Sequence, residues 1–150
     1  MEYLEHLQVI WDYLCLRQEP RKADCIVGFG NFNTDIARRA AQSGEEYRIY
    51  SCGGDGTMNE IVAGVAGYDN AAVTMFSGGS GNDFVRIFSE PEAFKDLDRL
   101  LDAEEATFDL IRCNDDYSLN ICSVGFDARI GTDVANYKRL PLLSGFRAYA

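Results

Sequence analysis

Three times along this chain an apolar run stops at a cluster of glycines and gives way to a helical pattern. The runs cover residues 23–30, 47–52 and 71–76, and the glycines fall at 28–31, 53–56 and 78–81. Strands that alternate with helices read as a parallel sheet, because parallel neighbours need a crossover and a helix supplies it. In such sheets ligands bind in the crevice outside the carboxyl ends of the strands. The periodicity alone puts all three glycine clusters at that end. The expected fold is α/β, a parallel sheet with flanking helices, followed by a β-rich stretch.

The helices are read from their apolar stripes. Leu4, Leu7, Ile10, Trp11 and Leu14 mark one over residues 3–16. A polar connector with Pro20 follows. Thr34 or Asn33 is placed to cap a helix over 35–42, and further helices are expected over 58–66, 82–88 and 91–102. After residue 106 the pattern changes. Residues 108–113 and 118–122 flank Asn114-Asp115-Asp116, which reads as a β-hairpin.

The second cluster, Gly53-Gly54-Asp55-Gly56-Thr57, is the most specific. Glycines let a backbone turn tightly and approach a ligand closely. Thr57 and Glu60 stand three apart, the spacing of a capping box. Amides at the start of the following helix favour an anion. A carboxylate in such a turn suits work beside a phosphate, as a proton acceptor or through a metal ion. A plain capped strand-to-helix turn would look the same. The third cluster, Ser77-Gly78-Gly79-Ser80-Gly81-Asn82-Asp83, repeats the design, with cap candidates at Ser80, Asn82 and Asp83.

Composition narrows the classes of function. A chain of 150 residues is about one domain's worth. A net charge of −10 disfavours nucleic acid, whose phosphates call for a basic patch. The same charge sits awkwardly with an anionic lipid surface. No apolar run approaches the roughly 20 residues that span a bilayer. The first residues lack the basic stretch of a secretory signal, so a cytoplasmic protein is expected. Five cysteines without close pairing point to reduced thiols rather than a zinc site or disulfides. His6, the single histidine, sits in the first helical stripe and reads as structural.

The string Gly53-Gly54-Asp55-Gly56-Thr57-Met58-Asn59-Glu60-Ile61-Val62-Ala63-Gly64 resembles the signature of the diacylglycerol kinase and bacterial lipid kinase family. The third cluster, with Asn82-Asp83-Phe84-Val85-Arg86, is similar to that family's second motif. Here Ser77 stands where the family has proline and Ser80 where it has threonine. Losing the proline is expected to loosen the loop. Residues 117–128, with Asn120 and Gly125-Phe126-Asp127-Ala128, look like the segment that opens the family's second domain. Together the blocks cover about residues 43–150. Residues 1–42 resemble instead the opening of the YdcF-like Rossmann-type proteins, some of which are linked to S-adenosylmethionine. A hybrid chain is expected, with its junction near residue 42.

The resemblance implies an ATP-dependent lipid kinase that transfers phosphoryl to a lipid hydroxyl such as that of diacylglycerol. ATP and Mg²⁺ are the implied cofactors. Residues 1–106 would be the nucleotide-binding domain and 107–150 an incomplete piece of the family's β-sandwich domain. Gly53, Gly54, Gly56 and Thr57 would hold phosphates, and Asp55 would be the base or a metal-linked carboxylate. Ser80, Gly81, Asn82 and Asp83 would line the nucleotide, Asp127 is a weaker candidate, and no metal ligand set is named. The partners implied are a diacylglycerol-like lipid, a transient membrane surface and a second copy joined through residues 107–124. Two other readings stay open: a nucleotide-binding remnant without catalysis, and a YdcF-like small-molecule binder using Gly28 to Gly30.

Overall fold

A computed structural model describes residues 33–126, 128 and 129. The expected helix over 3–16 and strand over 23–30 lie outside the described residues, as do the first glycine cluster and Asp127. The described residues fall into two compact units that divide between Asn120 and Ile121.

In the first unit the order is α1 (Asn33–Gln42), β1 (Tyr47–Gly53), α2 (Asp55–Val65) and β2 (Ala71–Ser77). Two 3₁₀ turns follow, Phe84–Ile87 and Pro91–Lys95. Then come α3 (Leu97–Leu101), β3 (Ile111–Cys113) and β4 (Asp116–Ser118). Strands β1 and β2 pair in parallel from Tyr47 opposite Ala71 to Gly53 opposite Ser77. The α/β expectation therefore holds: a parallel pair joined through a helix, with helices beside it.

Helix α2 is apolar on two flanks and so fills the space between the other elements. Its Ile61 and Val65 meet Ala37 and Ala41 of α1 and Ile49 of β1. Its Met58 and Val62 meet Met75 of β2 together with Phe84 and Val85. Gly64 lets α1 and α2 come close, since a Cβ there would overlap the Thr34 carbonyl oxygen and lie 2.9 Å from the Ala37 Cβ. Thr34 does not cap α1. Its hydroxyl donates to the Glu60 carbonyl at 2.9 Å and ties α1 to α2. The other end of α1 is held by Asn70, whose Nδ2 donates to the carbonyls of Ala41 and Glu45.

Several boundaries differ from the periodicity reading. Helix α2 begins at Asp55, not Met58, with Gly54 as its N-cap and no side-chain cap bond. The Thr57–Glu60 capping box is therefore not formed, because both residues already lie inside the helix. The helix expected over 82–88 shrinks to a 3₁₀ turn. The one expected over 91–102 is split at Asp96, whose carboxylate accepts from the Asp98 and Arg99 amides and starts α3. A short polar side chain that caps a new helix ends the old one. The hairpin is present but shorter than its pattern, with β3 and β4 antiparallel across Asn114, which turns at φ 55°. Asparagine tolerates that left-handed conformation better than most residues.

In the second unit the described residues are 121–126, 128 and 129. Gly125 has φ 81°, and its carbonyl accepts from the Arg129 amide at 3.2 Å.

Candidate phosphate-binding site

Parallel pairing brings the ends of β1 and β2 side by side, so the second and third glycine clusters touch. The Gly78 amide donates to the Gly53 carbonyl at 2.9 Å and extends the ladder by one step. Beyond it the two loops press backbone on backbone. A Cβ on Gly54 would lie 3.1 Å from the Gly79 Cα, and a Cβ on Gly79 would overlap the Gly54 Cα. These two glycines are needed for packing whether or not a ligand is bound.

Gly56 is different. A Cβ there would meet nothing within 4 Å, and the residue is exposed. The amides of Asp55, Gly56 and Thr57 form the first turn of α2, where no intrahelical acceptor exists. No partner for them is found among the described residues. They make a patch of partial positive charge at the mouth of the loop pair.

Asp55 stands in that first turn. Its Oδ1 accepts from the Phe84 amide at 3.0 Å, so the carboxylate fastens the third glycine cluster to α2. Its Oδ2 faces Gly81, lying 3.0 Å from where a Cβ on Gly81 would sit. The Asp83 Oδ2 lies 3.9 Å from the same point. Asp83 also pairs through Oδ1 with Arg86 at 2.7 Å, and Arg86 reaches the Gly81 carbonyl.

The other expected site residues fall into two groups. Ser80 and Gly81 are exposed on the loop. Asn82 is committed to the loop's own architecture. Its Oδ1 accepts from the Gly79 amide and its Nδ2 donates to the Gly79 carbonyl at 2.7 Å, while its backbone sits at φ 55°. Thr57 turns its hydroxyl back onto Gly53, where a Cβ would lie 2.6 Å from Oγ1. Ser77 stands where the family has proline. Ser77 ends β2 within the ladder, buried, and its hydroxyl donates to the Phe94 carbonyl at 3.4 Å.

Among the described residues no group of three or more histidine, cysteine or acidic side chains is placed to hold a metal. Magnesium in phosphoryl-transfer sites is commonly held by one or two carboxylates and by the substrate's phosphates. The Asp55 and Asp83 carboxylates beside Gly81 fit that kind of site and do not fit a protein cage.

The same unit holds a cavity of about 540 Å³ next to the site. Met58, Val62, Phe84, Phe88, Phe108 and Leu119 are among its lining. Phe84 belongs to both places: its amide binds Asp55, and its ring packs edge-on against Phe88, Phe94 and Phe108.

The model of the diacylglycerol kinase catalytic domain matches residues 15–113. The chain belongs to that family. A Staphylococcus carnosus (strain TM300) protein named "Putative lipid kinase" is 34% identical over 140 residues, which cover 91% of this chain and 44% of that relative. A Staphylococcus aureus (strain Mu3 / ATCC 700698) protein of the same name is 32% identical over 79 residues, covering 51% of this chain and 26% of its own length. The chain thus spans less than half the length of these relatives. The family match runs across residue 42, where the sequence reading places a change of family. No solved structure matches the chain.

Sequence reasoning missed two residues. Asn59 accepts from the Leu119 amide at 2.9 Å, and the Phe84 amide is the partner of Asp55. A half-buried amide partner 60 residues away leaves no local signal. The presence of Asn at a half-buried helical position, where it has poor propensity, was the only hint.

Proposed function

We propose that this chain is the nucleotide-binding part of an ATP-dependent lipid kinase that phosphorylates a lipid hydroxyl, with diacylglycerol as the substrate class. The observation that carries the reading is the first turn of α2. Three amides without partners among the described residues, an exposed glycine and a carboxylate are held at the carboxyl ends of two parallel strands.

In this reading the Asp55, Gly56 and Thr57 amides bind phosphate oxygens through the positive end of α2. Ser80 and Gly81 form the opposite wall. Gly53, Gly54 and Asn82 hold the two loops in register and do not themselves grip the nucleotide. Bound Mg²⁺ would spread the charge of the transferring group, with Asp55 and Asp83 as the residues placed to hold it. Asp55 keeps Oδ2 directed at the site while Oδ1 holds Phe84, so it serves as a proton acceptor or a metal-linked carboxylate without releasing the loop. The apolar cavity beside Phe84 falls in the size range of ligand pockets and supports a hydrocarbon-bearing substrate.

A second reading is nucleotide binding without transfer. It is favoured by the Asp55–Phe84 bond, which gives Asp55 a structural duty independent of chemistry. Titration with ATP·Mg²⁺ followed by an assay of phosphoryl transfer to diacylglycerol separates the two. Binding with turnover supports the kinase, binding alone supports the second reading, and failure to bind ATP rejects both. No described helix is long and apolar enough to cross a membrane. The membrane contact proposed for the lipid substrate is a transient, peripheral one. Self-pairing through residues 107–124 is part of the same proposal, since most of that stretch is exposed.

A further inference from the structure

Two main-chain amides from distant parts of the chain end on one face of α2. Asp55 accepts from Phe84, 29 residues on, and Asn59 accepts from Leu119, 60 residues on. Positions four apart lie one above the other on a helix, so the two acceptors form a single vertical row. The lower one fastens the loop that faces the candidate phosphate site. The upper one fastens the stretch that leaves the β3–β4 hairpin, and Leu119 is half-buried there beside Met58 and Val62 in the wall of the apolar cavity.

We propose, building on the kinase reading, that Asn59 is a positioning residue for the lipid. It holds the Leu119 stretch against α2 and so keeps one wall of the apolar cavity at a set distance from Asp55. The bond is one that the helix alone cannot provide. An Asn side chain within a helix presents an amide oxygen sideways, and a main-chain amide arriving there is satisfied only if that oxygen is present. Without it the Leu119 amide is left half-buried and unpaired, which favours solvation and retreat of the hairpin end. Asn59 lies four residues beyond Asp55 and two beyond Thr57, and its side-chain oxygen bonds Leu119 rather than the first-turn amides, so its loss leaves the phosphate-binding groups in place. The consequence is selective: lipid engagement depends on Asn59, and nucleotide engagement does not.

The test compares Asn59→Leu and Asn59→Asp in the full chain. Aspartate keeps an acceptor oxygen at the same reach, and leucine has none. Three quantities are read: hydrogen exchange at the Leu119 amide, affinity for ATP·Mg²⁺, and co-sedimentation with phosphatidylcholine vesicles containing diacylglycerol. For Asn59→Leu, exchange at Leu119 is expected to rise about tenfold and vesicle binding to fall about tenfold, the effect of one lost half-buried hydrogen bond. ATP affinity is expected to stay within about twofold, because the α2 amides are untouched. Asn59→Asp is expected to match the parent in exchange and vesicle binding. Unchanged exchange at Leu119 in Asn59→Leu, an equal loss of ATP and vesicle binding, or a parent chain that ignores diacylglycerol would each overturn the proposal. A parent that binds no ATP rejects the kinase reading itself and leaves the exchange result to judge the tether.

Discussion

Replacing Gly56 by alanine separates what the glycine cluster does for the fold from what it does for a ligand. A methyl group at Gly56 has no neighbour within 4 Å, and the residue lies inside α2 without a left-handed backbone. The folded state therefore accepts the methyl freely. The unfolded chain loses conformational freedom, and alanine is the better helix former, so the variant is expected to gain up to about 1 kcal/mol. For a domain of this size that is an upward melting shift of about 2–8 °C. Ligand binding moves the other way. If a phosphate lies against the amides of the first turn, the methyl projects into the space beside it. Affinity for ATP·Mg²⁺ should drop by at least about tenfold, or ~1.4 kcal/mol. Gly79→Ala is the contrasting variant. Its methyl would overlap the Gly54 Cα and lie 2.9 Å from the Asn82 Oδ1, so the loops must part and the Gly78–Gly53 bond must stretch. Overpacking of this kind costs about 1–3 kcal/mol, and the melting temperature should fall. Calorimetric titration and thermal melting of both variants make the comparison. If Gly56→Ala binds ATP as the parent does, no phosphate rests against that turn and the reasoning fails.

Asp55→Asn keeps an oxygen for the Phe84 amide, so its melting temperature should stay within about 2 °C while phosphoryl transfer is lost; measurable turnover would remove Asp55 from the chemistry. Asp55→Ala lacks that acceptor and should in addition lose about 1–3 kcal/mol in denaturant titration. Gly64→Ala should cost about 1–3 kcal/mol by forcing α1 away from α2, and an unchanged unfolding midpoint would contradict the close contact with the Thr34 carbonyl. Size-exclusion chromatography at several concentrations is expected to show self-association through residues 107–124, and a sharp monomer at all of them would refute it.

Much of the fold around the candidate site was legible because its cause is local. The runs at 47–52 and 71–76 match β1 and β2 to within a residue, since an apolar run closed by glycines has few other outcomes. Their parallel pairing followed from the helical stripe between them. Helix starts were less legible. The stripe from Met58 onward shows where α2 becomes buried, but α2 begins at Asp55, because the first turn faces the site and carries no apolar side chain. The helices over 82–88 and 91–102 were overread: aromatic and acidic residues at helical spacing there serve a ring cluster and the Asp96 cap.

The amino-acid sequence by itself determined the alternation of strand and helix, the glycines at the strand ends, and a carboxylate among them. Those depend on backbone freedom and on the period of apolar residues, which neighbours in the chain control. Only the tertiary structure decided which glycines are there for packing and which leave space for a ligand. Gly54 and Gly79 press against each other across 25 residues of chain, and Gly56 presses against nothing. It also decided that Asp55 and Asn59 each receive an amide from afar, because the meeting of distant segments is set by how α2 packs and not by any pattern along the chain.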